Sequence, residues 1–112
     1  MTKQKYIPGD EWLYYKIYCG VKTADKILTQ VLLPTSTLLK EKNIIDKWFF
    51  IRYADPDLHL RVRFHFDNIY NIGIIMHELN NKLQNLVESK MVWKVMFDTY
   101  QPEIERYHPM LI

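Results

Sequence analysis

Residues 58–66 alternate strictly between apolar and basic side chains. The apolar positions are Leu58, Leu60, Val62, Phe64 and Phe66, and the basic positions are His59, Arg61, Arg63 and His65. Because successive side chains of a β-strand point to opposite faces, this segment predicts a strand with one apolar face and one basic face. The apolar face has to be buried, so we expect a sheet that is covered on one side and open on the other.

Other segments predict the rest of the sheet. Residues 12–19 are aromatic and β-rich and end at a glycine, and residues 47–53 and 91–98 are also typical of strands. The turn residues "ADPD" separate the second strand from residues 58–66, which predicts a hairpin.

Two amphipathic helices are expected between these strands. Thr23 is a suitable N-cap for the first, and its apolar positions stay in phase to about residue 41, so Pro34 should kink one helix rather than end it. Asp67 or Asn68 should cap the second helix. Its predicted buried stripe consists of Ile69, Ile72, Met76, Leu79, Leu83 and Leu86.

The element order β-α-β-β-α-β predicts an α+β fold of the ferredoxin-like type, a four-stranded antiparallel sheet with two helices on one face. Right-handed crossovers would give the strand order 4-1-3-2. We expect one domain over residues 1–112, with its core in residues 12–98 and a tail in residues 99–112.

Composition limits the function. The net charge of +2 is too small to indicate bulk nucleic-acid binding. Cys19 is the single cysteine, which excludes a disulfide framework within the chain, and we expect it to be a small buried hydrophobe. The polar first ten residues do not resemble a signal peptide, and no apolar run is long enough to span a membrane. The sequence therefore predicts a cytoplasmic protein without a membrane partner.

The four arginines are concentrated in two short segments, whereas the chain uses lysine eleven times elsewhere. Arg52, Arg61 and Arg63 lie in residues 48–66, and Arg106 lies in the tail. The planar fork of arginine grips carboxylate or phosphate through two hydrogen bonds, so this distribution indicates an anion site. Arg52 would join it if its face of the second strand is also the open face.

Three other interpretations remain open. An alternating charged strand is often only a solvated face. His59 and His65 could bind a metal, but a third ligand is missing nearby and the arginines would repel a cation, so we predict no metal and no cofactor. The same element order also describes an RNA-recognition domain, although the third strand lacks the glycine-containing signature and the chain has no basic tail.

The segments "WLYYKIYCG", "DKILTQVLLP", "DKWFFIRYADPDLHLRVRF" and "DTYQPEIERY" together resemble the C-terminal domain of lantibiotic dehydratases over about residues 11–107. This domain is also called the thiopeptide-type bacteriocin biosynthesis domain. Its members remove glutamate from glutamylated serine or threonine in a precursor peptide, a lyase-type β-elimination. The resemblance implies that Arg61, Arg63 and Arg106 bind the glutamyl group, with Arg52 a further substrate-binding candidate, and that His59 is a candidate catalytic residue.

Domains of that family are longer than this chain, and the resemblance implies that a functionally important histidine lies in the part that is absent here. We therefore expect a fragment, a split protein or a degenerate relative that holds the anion but shows little elimination alone. The expected partners are the precursor peptide and either a second copy or a companion dehydratase chain, which would meet the open face or the tail. The alternative is a non-catalytic peptide- or partner-binding relative.

Overall fold

The computed structural model describes residues 4–102, so Arg106 and the apolar end of the tail lie outside the described residues. The strands are β1 (Trp12–Cys19), β2 (Lys47–Ala54), β3 (Leu58–His65) and β4 (Val92–Phe97). They form one antiparallel sheet in the order β2-β3-β1-β4, which is the predicted order read from the opposite edge. The predicted ferredoxin-like arrangement is confirmed, with β3 inside the sheet.

The helices lie on one face of this sheet. The first helical region consists of α1 (Val21–Ile27), a π-helical segment (Leu28–Leu32) and α2 (Leu33–Glu41). The second consists of a 3₁₀ turn (Ile69–Asn71) and α3 (Ile72–Glu88). In the described part of the chain, no helix is long and apolar enough to cross a membrane.

The first helical region continues past Pro34, as predicted. The wider turn of the π-helical segment comes directly before the proline, where an α-helix would lose a hydrogen bond because proline has no N–H. The prediction of Thr23 as N-cap is wrong. Gly20 is the N-cap, and its carbonyl accepts the Ala24 N–H at 2.9 Å. The helix starts directly after β1 because Ala24 is needed in the core, where it is fully buried.

The second helical region differs from its predicted stripe at two positions. Asn68 accepts a hydrogen bond from the Tyr70 N–H at 3.0 Å, so it caps the 3₁₀ turn rather than α3. The tighter 3₁₀ turn takes Ile69 out of phase with the helix that follows, and Ile69 is 53% exposed. Met76 lies on the flank of α3 and is also exposed. Leu79 and Leu83 are buried as expected, and Ile75 completes their row.

The main core lies between the sheet and the helices. Cys19 is buried there, as predicted, and burial raises the pKa of its thiol. The strands contribute alternate residues to this core: Leu13, Tyr15, Ile17, Leu60, Val62 and Phe64. The predicted alternation of β3 is therefore confirmed, and its basic residues lie on the face away from the helices.

Candidate functional site

The strand register assembles one face of the sheet from three strands. We call it the open face, although part of it is covered. On β3 it carries His59, Arg61, Arg63 and His65. On β2 these residues lie opposite Tyr53, Ile51, Phe49 and Lys47, and on β1 they lie opposite Tyr18, Lys16, Tyr14 and Trp12. Directly opposed residues of antiparallel strands point to the same side, so cations and aromatic rings alternate across this face.

Arg52 does not belong to the open face. It lies opposite Leu60, which is in the main core, so Arg52 points to the helix side of the sheet. Its guanidinium makes an ion pair with Asp25 of α1. Since neighbouring residues of a strand point to opposite sides, β2 contributes Phe49 and Tyr53 to the open face instead of Arg52. The structure therefore does not bring Arg52 together with Arg61 and Arg63.

Arg63 is fully buried although it lies on the face of the sheet away from α1, α2 and α3. Its guanidinium carbon lies 4.4 Å from the ring centre of Tyr14, 5.2 Å from that of Phe49 and 5.6 Å from that of Tyr100. We call these three rings the aromatic enclosure. The guanidinium also donates to the Tyr14 hydroxyl at 3.3 Å. Burial lowers the pKa of Arg63 to about 10, so the side chain remains a cation at neutral pH.

Segments from both ends of the described chain close this enclosure. Tyr6 and Tyr100 exchange two backbone hydrogen bonds, of 3.0 and 2.9 Å. This short bridge places the Tyr100 ring 4.7 Å from the ring centre of Trp12. Tyr100, Trp12 and Tyr14 form a second, smaller buried cluster on the open face. The sequence predicted an open face, but the Arg63 end of this face is closed because Tyr100, just after β4, folds back over it.

The Arg61 end of the same face is only partly covered. The guanidinium carbon of Arg61 lies 3.8 Å from the ring centre of Tyr53, and its Nε–H donates to Nε2 of His59 at 3.1 Å. Arg61 is half-buried. The ring and the histidine therefore fix the orientation of a guanidinium that solvent still reaches.

His59 is held in one tautomer. Since Arg61 Nε can only donate, His59 Nε2 must accept, and the ring proton therefore lies on Nδ1, which is 2.9 Å from the Asp57 carbonyl oxygen. The ring also stacks on Tyr18 at 4.5 Å. Burial lowers the pKa of His59, and the nearby charge of Arg61 lowers it further, while the bond to Asp57 opposes the shift. His59 is therefore neutral, and both of its nitrogens are engaged.

An ion pair borders the Arg61 end. Lys16 Nζ lies 2.7 Å from a carboxylate oxygen of Asp98. Burial alone would raise the pKa of Asp98, but hydrogen bonds from Lys16 and from the Thr99 N–H lower it. Lys94 also lies here, with its Nζ 5.3 Å from the Tyr18 ring centre. The sequence reasoning missed Asp98 and Tyr100 as parts of this face. Their signal was the polar and aromatic run that directly follows β4.

His65 lies apart from His59, next to two aspartate side chains. Asp46, His65 and Asp67 place ligand atoms within 4.8 Å of one another, a grouping that could hold a metal ion. His65 Nδ1 already lies 2.6 Å from an Asp46 oxygen. Burial alone would raise the pKa of Asp46, but this hydrogen bond lowers it. The hydrogen bond between His65 and Asp46 explains why these side chains lie together. The carboxylates of Asp46 and Asp67 are both exposed to solvent.

The burial of the aromatic rings also bears on RNA binding. Sheets that read RNA stack unpaired bases on exposed rings. Trp12, Tyr14 and Tyr100 are each less than a tenth exposed. They are occupied with one another and with Arg63, so these three rings offer no face to a base.

Comparison with known proteins identifies the family. Residues 12–112 match the protein family described as "Lantibiotic biosynthesis dehydratase C-term". This chain belongs to the lantibiotic dehydratase C-terminal family. The match includes β1, β2, β3 and the segment after β4, which are the elements that build the open face.

The chain is similar to parts of much longer proteins. It is 28% identical over 103 residues to the subtilin biosynthesis protein SpaB of Bacillus subtilis, covering 90% of this chain. It is 27% identical over 108 residues to the nisin biosynthesis protein NisB of Lactococcus lactis subsp. lactis, covering 96% of this chain. The crystal structure of the tRNA-dependent lantibiotic dehydratase MibB from Microbispora sp. 107891 matches 91% of the chain at 28% identity, with a TM-score of 0.73. The chain spans about a tenth of the length of each of these proteins.

Proposed function

We propose that the open face binds the glutamyl carboxylate of a glutamylated serine or threonine in a precursor peptide. The chain would then act as a glutamate-elimination-type domain of lantibiotic or thiopeptide-type biosynthesis. Family membership supports the reaction class. The arrangement of Arg61 supports the location, because its guanidinium is fixed by its neighbours and reached by solvent.

The fixed orientation of the Arg61 guanidinium is the observation that carries the proposal. A guanidinium binds a carboxylate best when its planar fork is already oriented, since little side-chain entropy is then lost on binding. The Tyr53 ring lies 3.8 Å from this guanidinium, and His59 accepts from its Nε at 3.1 Å. Both contacts restrict the plane of the fork. Lys16 lies directly opposite on β1, and its ion pair with Asp98 offsets its charge at the same end of the face.

Arg63 has a second role in this proposal. It lies two residues from Arg61 on the same face, but it is fully buried in the aromatic enclosure. Its charge adds to the positive potential at the site, and the rings around it exclude water, which strengthens electrostatic attraction. Arg106, which lies outside the described residues, is proposed to approach the same ligand from the tail.

The proposed chemistry places more demands on a site than binding does. Eliminating a glutamyl ester requires a base for the α-proton and a stabiliser for the developing negative charge. Arg61 can stabilise charge. His59 is neutral, as a base must be, but its Nε2 accepts from Arg61 and its Nδ1 donates to Asp57. We therefore propose that His59 positions Arg61, and that this chain alone binds a glutamylated peptide with little turnover.

The same observation favours the second candidate function, a non-catalytic peptide-binding relative. Both functions use the same Arg61 site and differ only in turnover. Mass spectrometry of a glutamylated peptide incubated with the chain distinguishes them. Loss of glutamate with formation of a dehydroamino acid identifies an eliminating domain, and would assign His59 or His65 as the base if the corresponding glutamine variant abolished it.

Calorimetric titration with a synthetic peptide that carries a glutamyl-serine ester tests the binding site. We expect Arg61→Ala to weaken binding by about 1.5–3 kcal/mol, since a hydrogen-bonded charge pair is lost. Arg61→Lys keeps the charge but loses the fork, so it should also bind clearly worse than wild type. Arg106→Ala should weaken binding as well.

Arg52→Ala is the matched control. It removes an arginine from the adjacent strand, but on the helix side of the sheet, where Arg52 pairs with Asp25. Binding by this variant should equal that of wild type. If both Arg61 variants bind like wild type, or if Arg52→Ala loses as much as Arg61→Ala, the open face is not the binding site.

A further inference from the structure

The edge strand β4 exposes apolar side chains and carries little of the protection that edge strands usually have. β4 forms one edge of the sheet, beside β1. Trp93, Val95 and Phe97 are 52%, 39% and 37% exposed, and Lys94 is the one charged residue in the strand. Proteins usually blunt a free edge with charges, proline or bulges, because an unprotected edge pairs with another strand.

The backbone N–H and C=O groups on the outer side of β4 are also oriented to pair with another strand. The Asp98 N–H donates to the Tyr14 carbonyl at 3.1 Å, which continues the ladder between β4 and β1. In an antiparallel ladder, alternate residues direct their N–H and C=O groups to one neighbour and then to the other. Asp98 points toward β1, and Met96 and Lys94 therefore do so too. The backbone groups of Val95 and Phe97 point to the outer edge of β4, beside which the described residues place no further strand.

A groove adjoins this edge on the helix side. It has a volume of about 870 Å³ and lies between α3 and β4. The α3 residues along it include an uncharged row at helical spacing, Met76, Asn80, Gln84 and Val87, and Glu88 is the one acidic residue of α3 in the lining. Solvated helix faces usually carry charged residues, so an uncharged row beside an exposed apolar strand indicates a protein interface.

We propose that a second copy of this chain pairs its β4 with β4 of the first, antiparallel and centred on Met96. In this register Lys94 of each copy lies opposite Asp98 of the other, and Val95 lies opposite Phe97. Centring the pair on Lys94 would instead place the two lysines against each other, which is unfavourable. The paired residues also avoid the bulge between β1 and the start of β4, at Tyr18 and Cys19.

The result is a continuous eight-stranded sheet with the two α3 helices side by side across the join. Charge complementarity selects a second copy, because Lys94 of β4 and Asp98, the first residue after it, supply both charges. Asp98 also pairs with Lys16 of its own chain, so it would lie between two lysines. This interface differs from the open face and the tail, which the sequence suggested for association. The groove and Val95 lie on the helix side of the sheet, whereas Lys94 and Asp98 lie on the open face beside the Arg61 end.

Sedimentation equilibrium of the 112-residue chain tests the interface. We expect a particle of twice the 13.6 kDa chain mass at tens of micromolar. Val95→Lys should weaken dimerisation at least about tenfold, since it places charge at the join. Val21→Lys is the matched control, because Val21 is exposed at the start of α1, and it should dimerise like wild type. Far-UV circular dichroism verifies that each variant is folded.

A charge exchange tests the register. Lys94→Asp alone places like charges opposite each other, and so does Asp98→Lys alone, so each variant should be monomeric. An equimolar mixture of the two should form a mixed dimer, because every Lys–Asp pair is then restored. A monomeric wild type at tens of micromolar would overturn the proposal and leave the groove to a different protein chain. A mixture that stays monomeric would overturn the register.

Discussion

Arg61 and Arg63 lie two residues apart on the same face of β3, yet their surroundings differ. Arg63 is fully buried among Tyr14, Phe49 and Tyr100, whereas Arg61 is half-buried and contacts the Tyr53 ring. The enclosure of Arg63 depends on the segment after β4, which in the described residues returns across the Arg63 end of the face. Arg63 therefore stabilises the fold at one end of the face, and Arg61 can contact a ligand at the other end.

This difference has an energetic consequence. A guanidinium over an aromatic face contributes about 0.5–1 kcal/mol at an exposed site and about 2 kcal/mol or more when water is excluded. Arg63 has three such rings within 5.6 Å of its guanidinium carbon. Arg61 has Tyr53 on a partly exposed face. We therefore expect stability to depend mainly on Arg63 and ligand affinity mainly on Arg61.

The largest expected effect is that of Arg63→Ala, which empties the aromatic enclosure. We expect a loss of about 3–5 kcal/mol in the free energy of unfolding, as for other large buried side chains truncated to alanine. Arg61→Ala should lose only about 0.5–1 kcal/mol, because its contact with Tyr53 is partly exposed. Urea unfolding followed by circular dichroism measures both. Arg63→Met keeps much of the buried volume and should lose less than Arg63→Ala. Equal losses for the two alanine variants would contradict the distinction between the ends.

The second largest expected effect on stability is that of removing the Tyr100 ring, which covers the Arg63 end of the open face. Tyr100→Ala deletes the ring that lies 4.7 Å from Trp12 and 5.6 Å from the Arg63 guanidinium. We expect a loss of about 2–4 kcal/mol in the free energy of unfolding, below that of Arg63→Ala because Tyr14 and Phe49 remain. Tyr100→Phe retains the ring and should lose less than about 1 kcal/mol. If Tyr100→Ala unfolds at the same urea concentration as wild type, the tail does not close this end of the face.

The smallest expected effect concerns the pH dependence that His59 gives to the Arg61 end. Its pKa lies below the ordinary 6.5 because it is buried, so the unfolded chain takes up this proton first as the pH falls. The neutral His59 ring therefore contributes its full share to the free energy of unfolding at pH values above 6.5, the pKa of the unfolded chain. That contribution is lost as the pH falls through the lower pKa of the folded protein. Between about pH 7.5 and about pH 5.5, the Tm of wild type should therefore fall more than that of His59→Gln.

His77→Gln is the control for this experiment. His77 is an exposed histidine of α3 that is hydrogen-bonded to Asn81. Its variant should retain the pH dependence of wild type. If His59→Gln shows the same fall in Tm as wild type, His59 is not held neutral by its burial.

Much of the fold could be predicted because it depends on local pattern. The alternation of β3 requires a two-faced strand, and the element order with right-handed crossovers leaves few topologies. The bounds of β1 agree with those predicted, and those of the other three strands agree within a residue at each end. The helix starts were less predictable. Thr23 is as good a cap as Gly20 by residue type, and the choice was made by the need to bury Ala24.

The candidate site was only partly predictable for a similar reason. Placing His59, Arg61 and Arg63 on one face follows from a period of two residues. The face of Arg52 depended on the pairing of β2 with β3, which put Arg52 opposite Leu60 and beside Asp25. A shift of one residue in that pairing would have reversed the face.

The sequence by itself determined that this chain forms a two-faced sheet with the basic residues of β3 on one side, and it carried the family resemblance. Only the tertiary structure decided which arginine is enclosed and which is reached by solvent. Both are arginines at equivalent positions of one strand, so no local pattern separates them. The separation arises from contacts between Tyr6, Tyr100 and β1, residues that are far apart in the chain and meet only once the sheet has formed.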